Sequence, residues 1–539
     1  MKNANQSPSD YDLIIIGGGI YGCALLWEAS HRGLNALLLE KNDYGSGTSA
    51  NSLKTIHGGI RYLQQLNLKR TIESDQEKVI LSRIAPNLIQ PLSCALPTAG
   101  SLTKNKITYW LASFLFKCLS SISSNGSGRS RNKFNPAALK AKFNLFNDGR
   151  ATDCMVWQDA QVQCSEQLGL SFIRSALAIG AEAHNYCEVT TIQKSSSDQF
   201  IVTAKSNDNH ELNYSCKYIA DCTSKSQLFK KCTPDIIQSK SSAETYVLGV
   251  NLILSEQFSK YALALPSFNQ KLDKKGMLFF SPWKDCTLVG TWYFHNNTHP
   301  NSNIKNRTAT NDIGSELIEV CLSDIQSALK SENIDLSTDT IKQMILDVHA
   351  GYLPATDHSN PEKALINKAI LVQHGHFFCM QGNKYTTARL NARKLVDRIA
   401  INEQKITTSK SHEVVLYGAG RLNNDDPTHS VLFQRYGDLT PELLSIYQDT
   451  NVNFDLAPGS SSIYQIEVDY FSSQKDVITL NDLLYRRINH NIHQPISEET
   501  VLWCGTVMAN KKEWSEEQLN ANIDSTLKHE KRKRSYSLQ

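Results

Sequence analysis

His57-Gly58-Gly59-Ile60-Arg61-Tyr62-Leu63 sets a histidine, which exchanges a proton near neutral pH, just ahead of an arginine able to receive an anion through paired N–H groups. The stretch follows an opening suited to a dinucleotide. Asp12-Leu13-Ile14-Ile15-Ile16 runs into Gly17-Gly18-Gly19-Ile20-Tyr21-Gly22, then a helical segment, then Ala36-Leu37-Leu38-Leu39 ending at Glu40. In such a turn Gly17 permits the tight bend, Gly19 lets a pyrophosphate approach the backbone, and Gly22 lets the helix pack on the strand. The helix start offers free N–H groups and a positive dipole end to phosphates. Glu40, about 20 residues beyond the glycines, stands where an acid accepts hydrogen bonds from a ribose.

A second candidate lies late in the chain, where Gln381-Gly382-Asn383-Lys384-Tyr385-Thr386-Thr387 opens a helix reaching Ile399. A lysine at a helix start opposes the dipole, and an anion is a reason for one to stand there.

These residues need a scaffold. An uninterrupted apolar first strand implies burial on both faces, as in a parallel sheet. Segments 187–192, 199–204 and 218–223 read as strands returning to that sheet, and 245–346 carries the alternation of an inserted antiparallel sheet. Past residue 410 the pattern turns helical, with Pro441 and Asn481 where helix starts belong. The expected division is a discontinuous nucleotide-binding unit (8–245 and 347–400), a substrate or cap unit (246–346) and a C-terminal helical unit (410–525). The charge run 529–534 reads as a solvated tail. Residues 107–119, the most apolar run outside the strands, suit either a core helix or one lying in a membrane interface.

The bulk numbers narrow the classes. With 539 residues, 40% hydrophobic and 20% charged, the chain is a folded protein of several domains. A net charge of +3 with no clustered basic face gives no case for nucleic acid. The 13 cysteines are scattered without a C-x-x-C pair, which argues against a metal site and for reduced thiols in a cytoplasmic protein. The first ten residues lack an apolar signal core, and no run of about 20 apolar residues would span a bilayer.

Taken in order, the motifs resemble the FAD-dependent glycerol-3-phosphate dehydrogenases of the D-amino-acid-oxidase-like flavoprotein superfamily. Thr48-Ser49, Ser52 and Lys54 through Leu63 carry the likeness, and four later stretches extend it over nearly the full length. These are 153–160, Ser281-Pro282-Trp283 with Gly290-Thr291, Gly382 to Thr387, and Arg486-Arg487. The resemblance implies an α/β fold: a Rossmann-like FAD-binding domain, an inserted antiparallel-sheet substrate domain and a C-terminal helical domain. It implies FAD held by Gly17, Gly19, Gly22 and Glu40 at its ADP half. Thr48, Ser49, Ser52, His57, Gly58, Val189, Gly382, Lys384 and Thr386 complete the cofactor set. His57 would orient the substrate hydroxyl or accept its proton, and Arg61 and Lys384 would receive phosphate oxygens. The implied partners are a small-molecule substrate and a quinone, at the cytoplasmic face of the inner membrane, with a homodimer left open.

Departures from the family pattern fall on the substrate side. Its Gly-x-Arg-Pro reads Gly351-Tyr352-Leu353-Pro354, its Gly-Thr-Thr-Asp reads Gly290-Thr291-Trp292-Tyr293, and its Ala-Thr-Gly reads Cys222-Thr223-Ser224. Its late Gly-Gly-Lys reads Gly382-Asn383-Lys384. A leucine side chain donates no hydrogen bond, so a bulkier, less anionic group facing Tyr352, Leu353 and Trp292 is the expectation. The alternatives are a different hydroxy or amino substrate, or a flavin-binding protein without turnover.

Overall fold

Leu13 and Ile15 pack into one apolar cluster and Ile14 and Ile16 into another, so strand β1 (Ser9–Ile16) is buried on both faces. Its uninterrupted apolar run requires that. The computed structural model describes residues 9–59, 67–98, 153–195, 199–223, 245–269, 274–295, 313–366, 369–401, 406–422, 430–449, 454–488 and 494–538, and positions 228, 232 and 403. Arg61 and the 107–119 run lie outside the described residues.

β1 lies between β2 (Ala36–Leu39) and β9 (Glu211–Asp221), parallel to both. β6 (Glu182–His184) extends the parallel array beyond β2, and β16 (Phe377–Gln381) does so beyond β9. The hairpin partner β15 (Ile370–His374) and the antiparallel pair β7 (Glu188–Lys194) and β8 (Phe200–Lys205) complete the sheet. Helices Ile20–His31, Ser165–Leu177 and Ala388–Ala400 cover one face, and β7 and β8 close the other. The carboxyl ends of β1, β2 and β9 meet beside the glycine turn, where open α/β sheets bind ligands.

The second sheet runs β14-β10-β13-β12-β11-β4-β5-β3. The 245–346 region supplies β10 (Thr245–Leu254), β11 (Ala262–Asn269), β12 (Lys274–Trp283) and β13 (Cys286–His295), as its alternation predicts. Three further strands come from outside the 246–346 span, β3 (Thr55–Ile56), β4 (Ile89–Thr98) and β5 (Asp153–Val162), and a fourth, β14 (Ile345–Ala355), starts on its last two residues and runs beyond it. The sheet is therefore wider than a single insertion, and β4 joins it by pairing parallel to β11. Helix Ser315–Lys330 covers one face.

Past residue 430 helices surround their own apolar cluster. Thr440–Asp449 carries Pro441 at its second position, and Thr479 caps the turn Leu480–Asp482 that holds Asn481. The charged tail departs from expectation. It belongs to helix Glu516–Leu538, in which Glu530 and Lys533 are buried and paired, and Tyr536 enters the core of the second sheet. The positions of those charges along the helix bury one face against β14 and the neighbouring helices and leave the other to solvent. Among the described residues no helix is long and apolar enough to cross a membrane.

Candidate functional site

The glycine turn is shaped by what it excludes. A Cβ on Gly22 would overlap the Gly17 carbonyl oxygen, and one on Gly17 would sit 3.0 Å from the Cys222 carbonyl carbon, at a φ of +107°. Gly19 has more room, facing only the Ser49 hydroxyl at 3.2 Å. Glu40 is anchored at the strand end by two backbone donors: Gly18 N–H to Oε2 at 2.6 Å and Asn42 N–H to Oε1 at 2.8 Å. Burial pushes its carboxyl up, against the pull of those two N–H groups. A carboxylate offers about four lone-pair directions, so two remain for hydroxyls. This cradle fits the ADP half of FAD: close backbone, a helix start and an acceptor acid in their required places.

The loop after Glu40 ties the two sheets together. Ser49 Oγ accepts the Ile20 N–H at 3.0 Å, Thr48 Oγ1 donates to the Tyr352 carbonyl at 3.2 Å, and Ser52 Oγ accepts the Lys54 N–H at 3.2 Å. Val189 is buried on the other face of the first sheet, two positions past Cys187, whose N–H donates to the Glu40 carbonyl at 2.8 Å. Gly382, Lys384 and Thr386 precede helix Ala388–Ala400 and reach the dinucleotide helix through Tyr21, whose hydroxyl donates to the Lys384 carbonyl at 3.1 Å.

His57 follows the edge strand β3 and pairs with Asp159 on β5. The Nδ1···Oδ2 distance is 3.1 Å, with Asp159 buried and His57 46% exposed and so open to a ligand. Asp159 also accepts the Gly58 N–H at 2.8 Å on Oδ1 and the Trp157 indole N–H at 3.1 Å on Oδ2. Burial works to raise this carboxyl. The His57 hydrogen bond and charge, Lys78 and the Gly58 N–H outweigh it and hold the group below its usual range. A carboxylate only accepts, so it selects the tautomer with hydrogen on Nδ1 and leaves Nε2 a free acceptor. Phe279 stands edge-on to the imidazole at 5.6 Å. A Cβ on Gly58 would meet Lys78 Nζ at 2.8 Å and Asp159 Oδ1 at 3.1 Å, so a side chain there would push the lysine aside and crowd the carboxylate.

Some groups are not where the spacing suggested. Trp292 is buried in the core of the second sheet, its indole donating to Asp324 of the covering helix at 2.9 Å, so it does not line a substrate face. Its register partner Val250 belongs to that same core. Gly351 faces Thr48, and strand alternation puts Leu353 on the same face and Tyr352 on the opposite one. Leu353 therefore keeps the expected side, while Tyr352 and Trp292 leave it.

Lys54 and Asp159 were missed as site-forming groups. Lys54, at a φ of +58°, is fully buried, its ammonium donating to the Ala50 carbonyl at 2.7 Å and to Ser165 Oγ at 2.6 Å beside Glu166. Asp159 stands in the 153–160 stretch, but nothing local says that its partner lies 102 residues earlier.

Set against known proteins, residues 12–398 match the family model described as FAD dependent oxidoreductase. The mitochondrial glycerol-3-phosphate dehydrogenase of Rattus norvegicus is 24% identical over 479 residues, covering 85% of this chain and 62% of that protein. This chain thus spans about three fifths of that relative's length. The glycerol-3-phosphate dehydrogenase of Mycobacterium leprae is 25% identical over 517 residues, 90% of this chain and 82% of that one. The solved glycerol-3-phosphate dehydrogenase from Bacillus halodurans, complexed with FAD, covers 97% of this chain with a TM-score of 0.70 at 18% identity. It covers 95% of that structure, a likeness of the whole fold.

Proposed function

This chain belongs to the FAD-dependent oxidoreductase family, and we propose that it oxidises the secondary hydroxyl of glycerol 3-phosphate or a closely related hydroxy compound, with quinone as electron acceptor at the cytoplasmic face of a membrane. The observation that carries this reading is the His57–Asp159 pair. Asp159 keeps the proton on Nδ1, so the exposed Nε2 takes the hydroxyl proton as the C–H bond breaks. FAD, when bound, accepts the hydride from that carbon. Asp159 stabilises the imidazolium formed, its own carboxyl being already held in the ionised form.

The remaining groups bind and orient. Glu40 and the Gly17–Gly22 turn grip the ADP half. Thr48, Ser49 and Ser52 hold the loop between the sheets. Lys384 and Thr386, just ahead of helix Ala388–Ala400, would stabilise negative charge arriving on the flavin. Arg61 and Lys384 receive the substrate phosphate.

A second reading, a less anionic hydroxy or amino substrate, is favoured by Leu353 on the face that Gly351 turns toward Thr48. Anaerobic mixing with glycerol 3-phosphate separates the two. Bleaching of the flavin absorbance supports the first reading. An unchanged spectrum, with bleaching by an amine or a bulkier alcohol, supports the second.

A further inference from the structure

We propose that Tyr21 is a positioning residue for the flavin, acting through the backbone of Gly382 to Lys384. The inference rests on the reading of Lys384 as a flavin-facing group. Tyr21 lies in the first turn of helix Ile20–His31, between the glycines that shape the nucleotide turn. Its side chain is buried at 7% exposure and crosses to the start of the late helix, where its hydroxyl donates to the Lys384 carbonyl at 3.1 Å. Thr387 and Asn391 offer further hydrogen-bonding partners to the same phenol. Burial pushes the phenol up to about 12, so it remains a neutral donor throughout the working pH range.

Gly382 gives the independent observation. Glycines whose φ is positive are needed for their backbone, but Gly382 is not among them. It is short of space instead: a Cβ there would overlap the Tyr21 hydroxyl and ring. The glycine exists to admit the phenol, which locks the 382–384 backbone to the dinucleotide helix. Tyr385 pins the next residue from the other side, its hydroxyl donating to the Ser165 carbonyl at 2.7 Å. The Lys384 peptide is thereby held between two phenols, one buried and one half-buried, and with it the direction in which the lysine leaves the backbone. The two halves of the cofactor cradle, separated by more than 360 residues of chain, are joined at the Tyr21 hydroxyl.

Tyr21→Phe keeps the ring and removes only the donor. In the FAD-loaded protein it is expected to retain the flavin, shift the visible spectrum and midpoint potential, and slow flavin reduction at saturating substrate about five- to tenfold. Lys384→Met is expected to shift the potential in the same direction. A shift in Lys384→Met with none in Tyr21→Phe overturns the strut and leaves the reading of Lys384 standing. Silence in Lys384→Met overturns both the reading and the route through it, whatever Tyr21→Phe does. The apoprotein supplies a check without flavin. Gly382→Ala should lower Tm in the parent and by clearly less in a Tyr21→Ala background, whereas equal losses in the two backgrounds would refute the packing argument.

Discussion

The glycine turn after β1 and the His57–Asp159 pair at the edge of the second sheet are built by opposite means. The turn is made of missing atoms: at Gly17 and Gly22 a single added carbon meets backbone that cannot yield. The pair is made of atoms that must be present, two side chains and three donors converging on one buried carboxylate. A site built from backbone is broken by adding, and one built from side chains by exchanging a single atom. The contrast extends to two buried carboxyls. Asp159 is held low by three neighbouring groups, His57, Lys78 and the Gly58 N–H, whereas Asp221, beside the turn, has only Thr223 to offset burial and rises to about 7.

The harshest way to break the comparison is Gly22→Ala. It should leave protein without FAD and cost about 3 kcal/mol or more of stability, read by denaturant titration and flavin absorbance. Normal flavin content would mean that the turn is not set by excluded volume.

Asp159→Asn should instead keep FAD and lower the rate of flavin reduction about 100-fold, because the wrong tautomer of His57 then faces the substrate. Loss of FAD in this variant would show that the two regions are not separable. The pH sense also differs. Asp159 has a folded pKa below its unfolded one, so its contribution is present above the ordinary carboxylate range and lost as pH falls through the depressed value.

Asp221 runs the other way. Its folded pKa is raised to about 7, so its stabilising protonation is complete below the unfolded pKa of about 4 and lost as pH rises through 7. Asp221→Asn should flatten that decline and leave the protein about 1–3 kcal/mol more stable than the parent at pH 8, measured by chemical unfolding at several pH values. The smallest effect is expected for Ser49→Ala, which frees the Ile20 N–H. About 1 kcal/mol, or roughly fivefold in FAD affinity, should be lost in a fluorescence titration.

Legibility in the sequence divides along the same line. The apolar run of β1, the glycine spacing, Glu40 at its strand end and the helix from Ala388 are local signals, and each stands where its residues put it. Pairing across the chain is not local. Nothing in 89–98 says that it will lie beside 262–263, and nothing near Asp159 names His57 as its partner. Trp292 and Tyr352 were misplaced because their motif positions do not reveal which face of a strand meets the loop. The charged tail misleads for a related reason: Lys531 and Arg534 face solvent, but Glu530 and Lys533 neutralise each other on the buried side of the same helix, which a charge run in sequence does not reveal.

The scattered origin of the second sheet bears on how this chain could be re-engineered. A graft replacing 246–346 with the equivalent stretch of another protein would bring four new strands, β10 to β13, and the covering helix. It would leave β3, β5, His57 and Asp159 untouched. The wall that Phe279 presents to the imidazole could thus be exchanged as one cassette, while Leu353 and the pair that handles the proton stay with the recipient.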